Sequence, residues 1–255
     1  KFEFRAVGSS QSIAFPVTLL NAAVADGLAE ITEALKAELK KTKSVDDAVL
    51  KVVKESFKES TPVRFEGNNY AEEWVTEAEK RGLPNYRRTP EALAQLVTKQ
   101  SRSLLTSLGV LTKEELESRY HVRMERYIKD MLIELYTLQQ MVDTMVLPAA
   151  FTYAGQLATS AAQAKAAGIK SIPQIDAANE VGELIEELRS EREKLAGVIE
   201  KAETMHGDLD KCAKMLTSTG ADAMAGVRAA CDKLELVVAD ELWPLPKYRE
   251  MLFPV

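Results

Sequence analysis

Glu3 and Arg5 are the first residues in this sequence whose types and spacing could do chemistry. They stand two apart in KFEFR, interleaved with Phe2 and Phe4. On a strand, alternate residues share a face, so one carboxylate and one guanidinium would project together with two phenyl rings behind them. A carboxylate in that position can ligate Mg²⁺ or Mn²⁺. A guanidinium beside it can offset charge on a transferring phosphoryl group. An exposed ion pair is the simpler use of the same two residues. A single strand is not stable by itself, and no later segment reads as its partner.

The second dense stretch is EGNNYAEEW. It places Glu66, Asn68, Asn69, Tyr70, Glu72, Glu73 and Trp74 within nine positions. Such a loop can bind a ligand. It can equally be a capped helix start, with Asn69 as the cap and Trp74 buried. Glu117, His121 and Glu125 recur at four-residue steps and share a helix face, yet no Glu-x-x-His pair of the kind used in di-metal bundles is present, which favours a solvated flank. His206 before Gly207 reads as a helix C-terminal group. Cys212 and Cys231 have no activating neighbour and read as core thiols. Met124, Met131, Met141 and Met145 read as packing.

These residues sit in a chain of 255 residues with net charge −6 and 46% hydrophobic residues. That composition supports a sizeable core and argues against nucleic-acid binding, which needs a positive surface. Two cysteines suit a reducing compartment, and a cytoplasmic location is expected. Residues 6–25 and 144–164 carry no charge. Both contain enough Ser, Thr, Gln, Asn, Gly or Pro to read as buried bundle helices rather than membrane spans.

The elements that must position the candidates are helical. Residues 14–40 have apolar residues at helical spacing. Ser44 with Asp47 opens a second helix. A helix from Trp74 stops at Arg81-Gly82-Leu83-Pro84, and Thr89-Pro90 opens another. Thr112 and Glu115 form a capping box before the longest helix. Its seam runs Tyr120, Met124, Tyr127, Met131, Leu135, Leu138, Val142, Met145, and Pro148 should kink or break it. A second seam runs Val181, Ile185, Leu188, Leu195, Ile199, Ala202. Gly220 should separate the last two helices. The expected fold is all-α: a long-helix antiparallel bundle at residues 14–255, packed with the first and last helices and carrying short satellite helices, preceded by one orphan strand. That strand and its loop, residues 1–13, are assigned to an upstream catalytic α+β domain.

FEFRAVGSSQSIAFPVTLLNAAVADGLAEI resembles the end of the catalytic domain of glutamine synthetases, where a strand of apolar-Glu-apolar-Arg pattern leads into a helix ending near an Asp-Gly pair, here Asp26-Gly27. RFEGNNYAEEWVTEAEKRGLP, ELYTLQQMVDTMVLPAAFTYAGQL and DELWPLPKYREMLF are similar to the C-terminal region of the large type III branch. The resemblance runs along essentially the whole chain, in family order.

It implies a ligase that joins ammonia to glutamate, using ATP to form a γ-glutamyl phosphate, with Mg²⁺ or Mn²⁺. It maps Glu3 onto a metal ligand, and Arg5 onto the residue that contacts the glutamate carboxylate and the transferred phosphoryl group. It also implies a homo-oligomer, a dodecamer, with no membrane and no nucleic-acid partner. The family's other metal ligands and its nucleotide pocket are not found in this sequence. The expectation is therefore a C-terminal fragment or domain of a longer chain, inactive alone. Two other readings stay open: a non-catalytic helical scaffold, and an effector-binding module using Glu66, Asn68, Asn69 and Trp74.

Overall fold

The computed structural model describes residues 11–205 and 207–252, and every regular element among them is a helix. The expected strand with Glu3 and Arg5, and His206, lie outside the described residues. The chain divides into two compact units, one ending at Tyr120 and the other starting at His121.

The first unit begins with α1 (Ala14–Leu39) and α2 (Val45–Glu59), which pack on each other. Ser44 caps α2 as expected: its hydroxyl accepts from the Asp47 amide at 3.2 Å. Lys51 of α2 reaches Glu38 of α1 at 2.8 Å, and Lys41 reaches the same carboxylate at 3.1 Å. The hydrogen bond from Lys51, then that from Lys41, holds the Glu38 carboxyl below its ordinary range. Short helices follow: α3 (Glu72–Lys80), α4 (Thr89–Ala94) and α5 (Lys99–Ser107). Ala22, Leu105 and Leu116 form a small core, with Leu19, Leu96, Val110 and Leu111 against it.

Three expectations change here. Residues 61–63 form a single 3₁₀ turn rather than an extended piece. The α4 helix begins at Thr89 itself, with no side-chain cap. The first uncharged segment is not a buried bundle helix: in α1 only Ala22 is buried. Its packing partners are α2 and α5 rather than the long helical pair. By length and composition α1 is also apolar enough to cross a membrane.

The capping box at Thr112 is present in both directions. The Thr112 amide donates to Glu115 Oε2 at 2.8 Å, and the Glu115 amide to Thr112 Oγ1 at 3.1 Å. It starts α6 (Lys113–Met141), which passes through a π-turn (Val142–Val146) into α7 (Leu147–Ala166). Pro148 therefore does not end the helix. It falls in the first turn after the π-turn, where the Leu147 amide bonds to Val142 O. The wider turn absorbs the local misfit of a residue without an N–H.

The second unit is built around α8 (Gln174–Glu203), which packs on α7 and on α10 (Ala221–Val237). The predicted α8 seam is buried at all six positions, Val181, Ile185, Leu188, Leu195, Ile199 and Ala202. On α6 and the π-turn, Met124, Leu135 and Val142 are buried as predicted, and Ile128 and Val146 join them. Between α8 and α10 runs α9 (Leu209–Met215), capped by the Asp208 side chain, then a second π-turn (Leu216–Gly220). Gly220 does not separate two helices. It is buried inside a continuous helical run. Val238 takes an extended conformation and ends α10, Trp243 is buried behind it, and α11 (Tyr248–Leu252) follows.

Candidate functional site

Among the candidate residues that the structure describes, the 66–74 loop is the one that gathers several. It hangs between the end of α2 and α3. Arg64 anchors its first end: the guanidinium donates to Phe57 O at 2.6 Å and Thr61 Oγ1 at 3.0 Å, and lies 3.9 Å from the centre of the Phe57 ring. Arg81, just past α3, anchors the other. It donates to the carbonyls of Arg64 at 2.8 Å and Pro62 at 3.3 Å, and its Nε donates to Glu77 at 2.7 Å. Guanidinium groups suit this role because one fork can satisfy several carbonyls at once.

Phe65 stacks on Trp74, ring centres 4.3 Å apart, and the Arg81 guanidinium lies 5.6 Å from the Trp74 ring centre. Gly67 passes directly under Phe65: a Cβ there would meet the ring at 2.4 Å. Only a residue without a side chain lets the chain turn this close. At the far end of α3, Gly82 has φ +73°, and the Leu83 amide bonds back to Ala78 O at 2.9 Å. That is a glycine-dependent helix stop.

The expected cap is displaced by one residue. Asn69 does not cap α3. Asn68 instead turns the backbone, its Oδ1 accepting from the Tyr70 amide at 3.1 Å. The first residue of the helix is Glu72, and Ala71 precedes it without a side-chain bond. Trp74 is half-buried, as part of the stacked base. Glu66, Asn68, Asn69 and Tyr70 are exposed at the tip, Tyr70 by 87%. The loop thus has a fixed aromatic and guanidinium base and a polar tip free to make contacts. Sequence reasoning singled out the tip and Trp74 but missed Phe65, Arg64 and Arg81. The usable signal was Gly67 placed two residues after an aromatic.

The other candidates do not assemble into a site. Glu117 pairs with Arg102 at 3.1 Å. Cys212 and Cys231 are free and buried, and burial raises both thiols, Cys231 to about 11. Among the described residues no three His, Cys, Asp or Glu side chains come close enough to hold a metal ion. A groove of about 460 Å³ lies in the second unit, lined by Ile128, Leu132, Tyr136, Glu203 and Leu209 among others, with the Tyr136 hydroxyl donating to Glu203.

Comparison with known proteins gives these features a context. Residues 48–165, which include the whole loop, match the model of the glutamine synthetase C-terminal domain. Over 99% of its length the chain is 35% identical to the type-3 glutamine synthetase of Dictyostelium discoideum. Over the same share it is 31% identical to a glutamine synthetase of Bacteroides fragilis (strain YCH46). A glutamine synthetase of Butyrivibrio fibrisolvens is 31% identical over 81% of the chain. The chain spans only about a third of these relatives, 35% of the first two and 30% of the third.

Proposed function

Because this chain belongs to the glutamine synthetase family, as the C-terminal region of its type III branch, we propose that it completes the active site of a full-length enzyme that ligates ammonia to glutamate. ATP would first phosphorylate the side-chain carboxylate, and ammonia would then displace the phosphate. The observation that carries this reading is similarity along 99% of the chain to relatives of which the chain is only 35%.

The chemistry contributed here falls to residues 1–13, assigned to the end of the catalytic domain, with residues 14–255 as the helical region. Arg5 would pair its guanidinium with the glutamate carboxylate and the transferred phosphoryl oxygens, where negative charge accumulates. Glu3 would supply one carboxylate to a Mg²⁺ or Mn²⁺ ion. The described residues do not fit a metal site of their own, so the remaining ligands and the nucleotide pocket belong to the rest of the enzyme. The assembly would be a homo-oligomer, by resemblance a dodecamer, in the cytoplasm, engaging neither membrane nor nucleic acid.

The test is turnover. The full-length protein should release phosphate from ATP only with glutamate and ammonia both present. The 255 residues alone should not. In the full-length protein, Arg5→Ala and Glu3→Gln should each remove most of the activity while leaving the oligomer intact. Turnover by the 255 residues alone, or full activity of both variants, would overturn the reading.

A further inference from the structure

The α1 helix is apolar on two opposite sides, and only one of them is packed. Leu19 and Ala22 face Leu105 and Leu116. Each helical residue advances by about 100°. Ile13, Val17, Leu20, Val24, Leu28 and Ile31 therefore form one stripe roughly opposite Ala22. Their exposures run from 38% at Leu20 to 77% at Ile13. Single exposed apolar residues need no explanation, but a continuous stripe of six does, and a helix apolar all round is one that is covered all round.

We propose that the cover is the catalytic portion of the same full-length polypeptide, docked on the α1 stripe. The proposal rests on the synthetase reading given above. Three observations select this occupant. The relatives match 99% of this chain, yet most of each relative lies outside the match, so a large attached body is at hand. The C-terminal-domain match starts at residue 48, inside α2, which leaves α1 outside that domain and free to belong with what precedes it. A bilayer suits the helix poorly, because its second half carries Asp26, Glu30, Glu33, Lys36 and Glu38. A tethered surface also meets the stripe at an effective concentration on the order of millimolar, which a second copy does not. The helix then acts as a shared layer, its Leu19 side in one body and its Val24 side in the other.

Single-cysteine variants of the full-length enzyme test this: Val17→Cys, Val24→Cys and Leu28→Cys on the stripe, and Glu30→Cys as an exposed control. Maleimide labelling is read peptide by peptide, so that native cysteines do not interfere. Stripe positions should react at least about tenfold more slowly than the control, since a packed face is reached only on local opening. The protection should persist when the oligomer is dissociated to single chains. A benzophenone side chain at position 28, in a mixture of heavy and light chains, should cross-link to polypeptide outside these 255 residues within its own chain. Stripe cysteines as reactive as the control would overturn the proposal. So would protection lost on dissociation, cross-links joining heavy to light chains, or protection seen only with phosphatidylcholine vesicles. Reactive stripe cysteines in a fully active enzyme would reject the docking alone, whereas an unsubstituted full-length protein without turnover would reject the synthetase reading.

Discussion

Arg192 grips Asp143 with both arms of its guanidinium, Nε to Oδ1 at 2.8 Å and Nη2 to Oδ2 at 2.5 Å. Asp143 lies on the first π-turn and Arg192 on α8, so the pair ties the irregular turn to the central helix. The side chains are 29% and 36% exposed, so solvent weakens the attraction, while the two-pronged geometry favours it. Asp143→Ala should cost about 1 kcal/mol in urea unfolding. Adding Arg192→Ala should cost little more, because the pair is already broken. Full additivity in that double-mutant cycle would show that the two residues do not act together.

The second π-turn is held in a comparable way. Thr217 Oγ1 lies 2.5 Å from the Tyr127 hydroxyl, and Thr217 is buried. Thr217→Val keeps the shape but strands that hydroxyl, and should cost roughly 1–3 kcal/mol. Tyr127→Phe in the same background should recover part of the loss, which thermal melts of the three variants would read directly.

Gly67 and Gly226 should respond oppositely to alanine. At Gly67 the new methyl meets the Phe65 ring, which is held by its stacking on Trp74. The ring must move, at a cost of roughly 1–3 kcal/mol, and Trp74 fluorescence should shift to the red in a Trp243→Phe background. At Gly226, in α10, the methyl meets only the carboxylate end of Glu191, which can swing into solvent. Gly226→Ala should therefore be neutral or stabilising by up to about 1 kcal/mol, through helix propensity.

Cys231 makes stability depend on alkaline pH. Burial, and secondarily the charge of Asp232, pushes its thiol from an ordinary 9.0 up to about 11. Between those values the unfolded chain releases a proton that the folded chain keeps. Stability is therefore fully present below about pH 9 and falls as pH rises toward 11, by roughly 2–3 kcal/mol at about 1.4 kcal/mol per unit. Urea midpoints at several pH values should fall across this window, less steeply in Cys231→Ala. An unchanged slope in the variant would assign the effect elsewhere.

The regular parts of this fold were legible because their signals are local or periodic. The α8 seam from Val181 to Ala202 is a simple recurrence, and the Thr112 and Glu115 box is a four-residue pattern. The π-turns were not legible: VDTMV and LTSTG contain nothing that an ordinary helix would refuse, and Gly220 looked like a break. The Phe65, Trp74 and Arg81 cluster depends on a chain reversal that brings distant residues together. No spacing rule encodes that. The exposed stripe on α1 was hidden for another reason. Periodicity marks which residues want burial, but not whether the burying surface belongs to the same stretch of sequence.

A π-turn holds one residue more than an α-helical turn would. Removing one residue from Val142–Val146 could restore a regular helix locally, but everything beyond would be rephased by about 100° and drawn in by about 1.5 Å. Val146, Ala150 and Ala161, now buried, would rotate out of the core as a block. The turn is thus a register mark: it fixes the phase between the two halves of the long helix. A single-residue deletion there should be tolerated far less well than any single substitution.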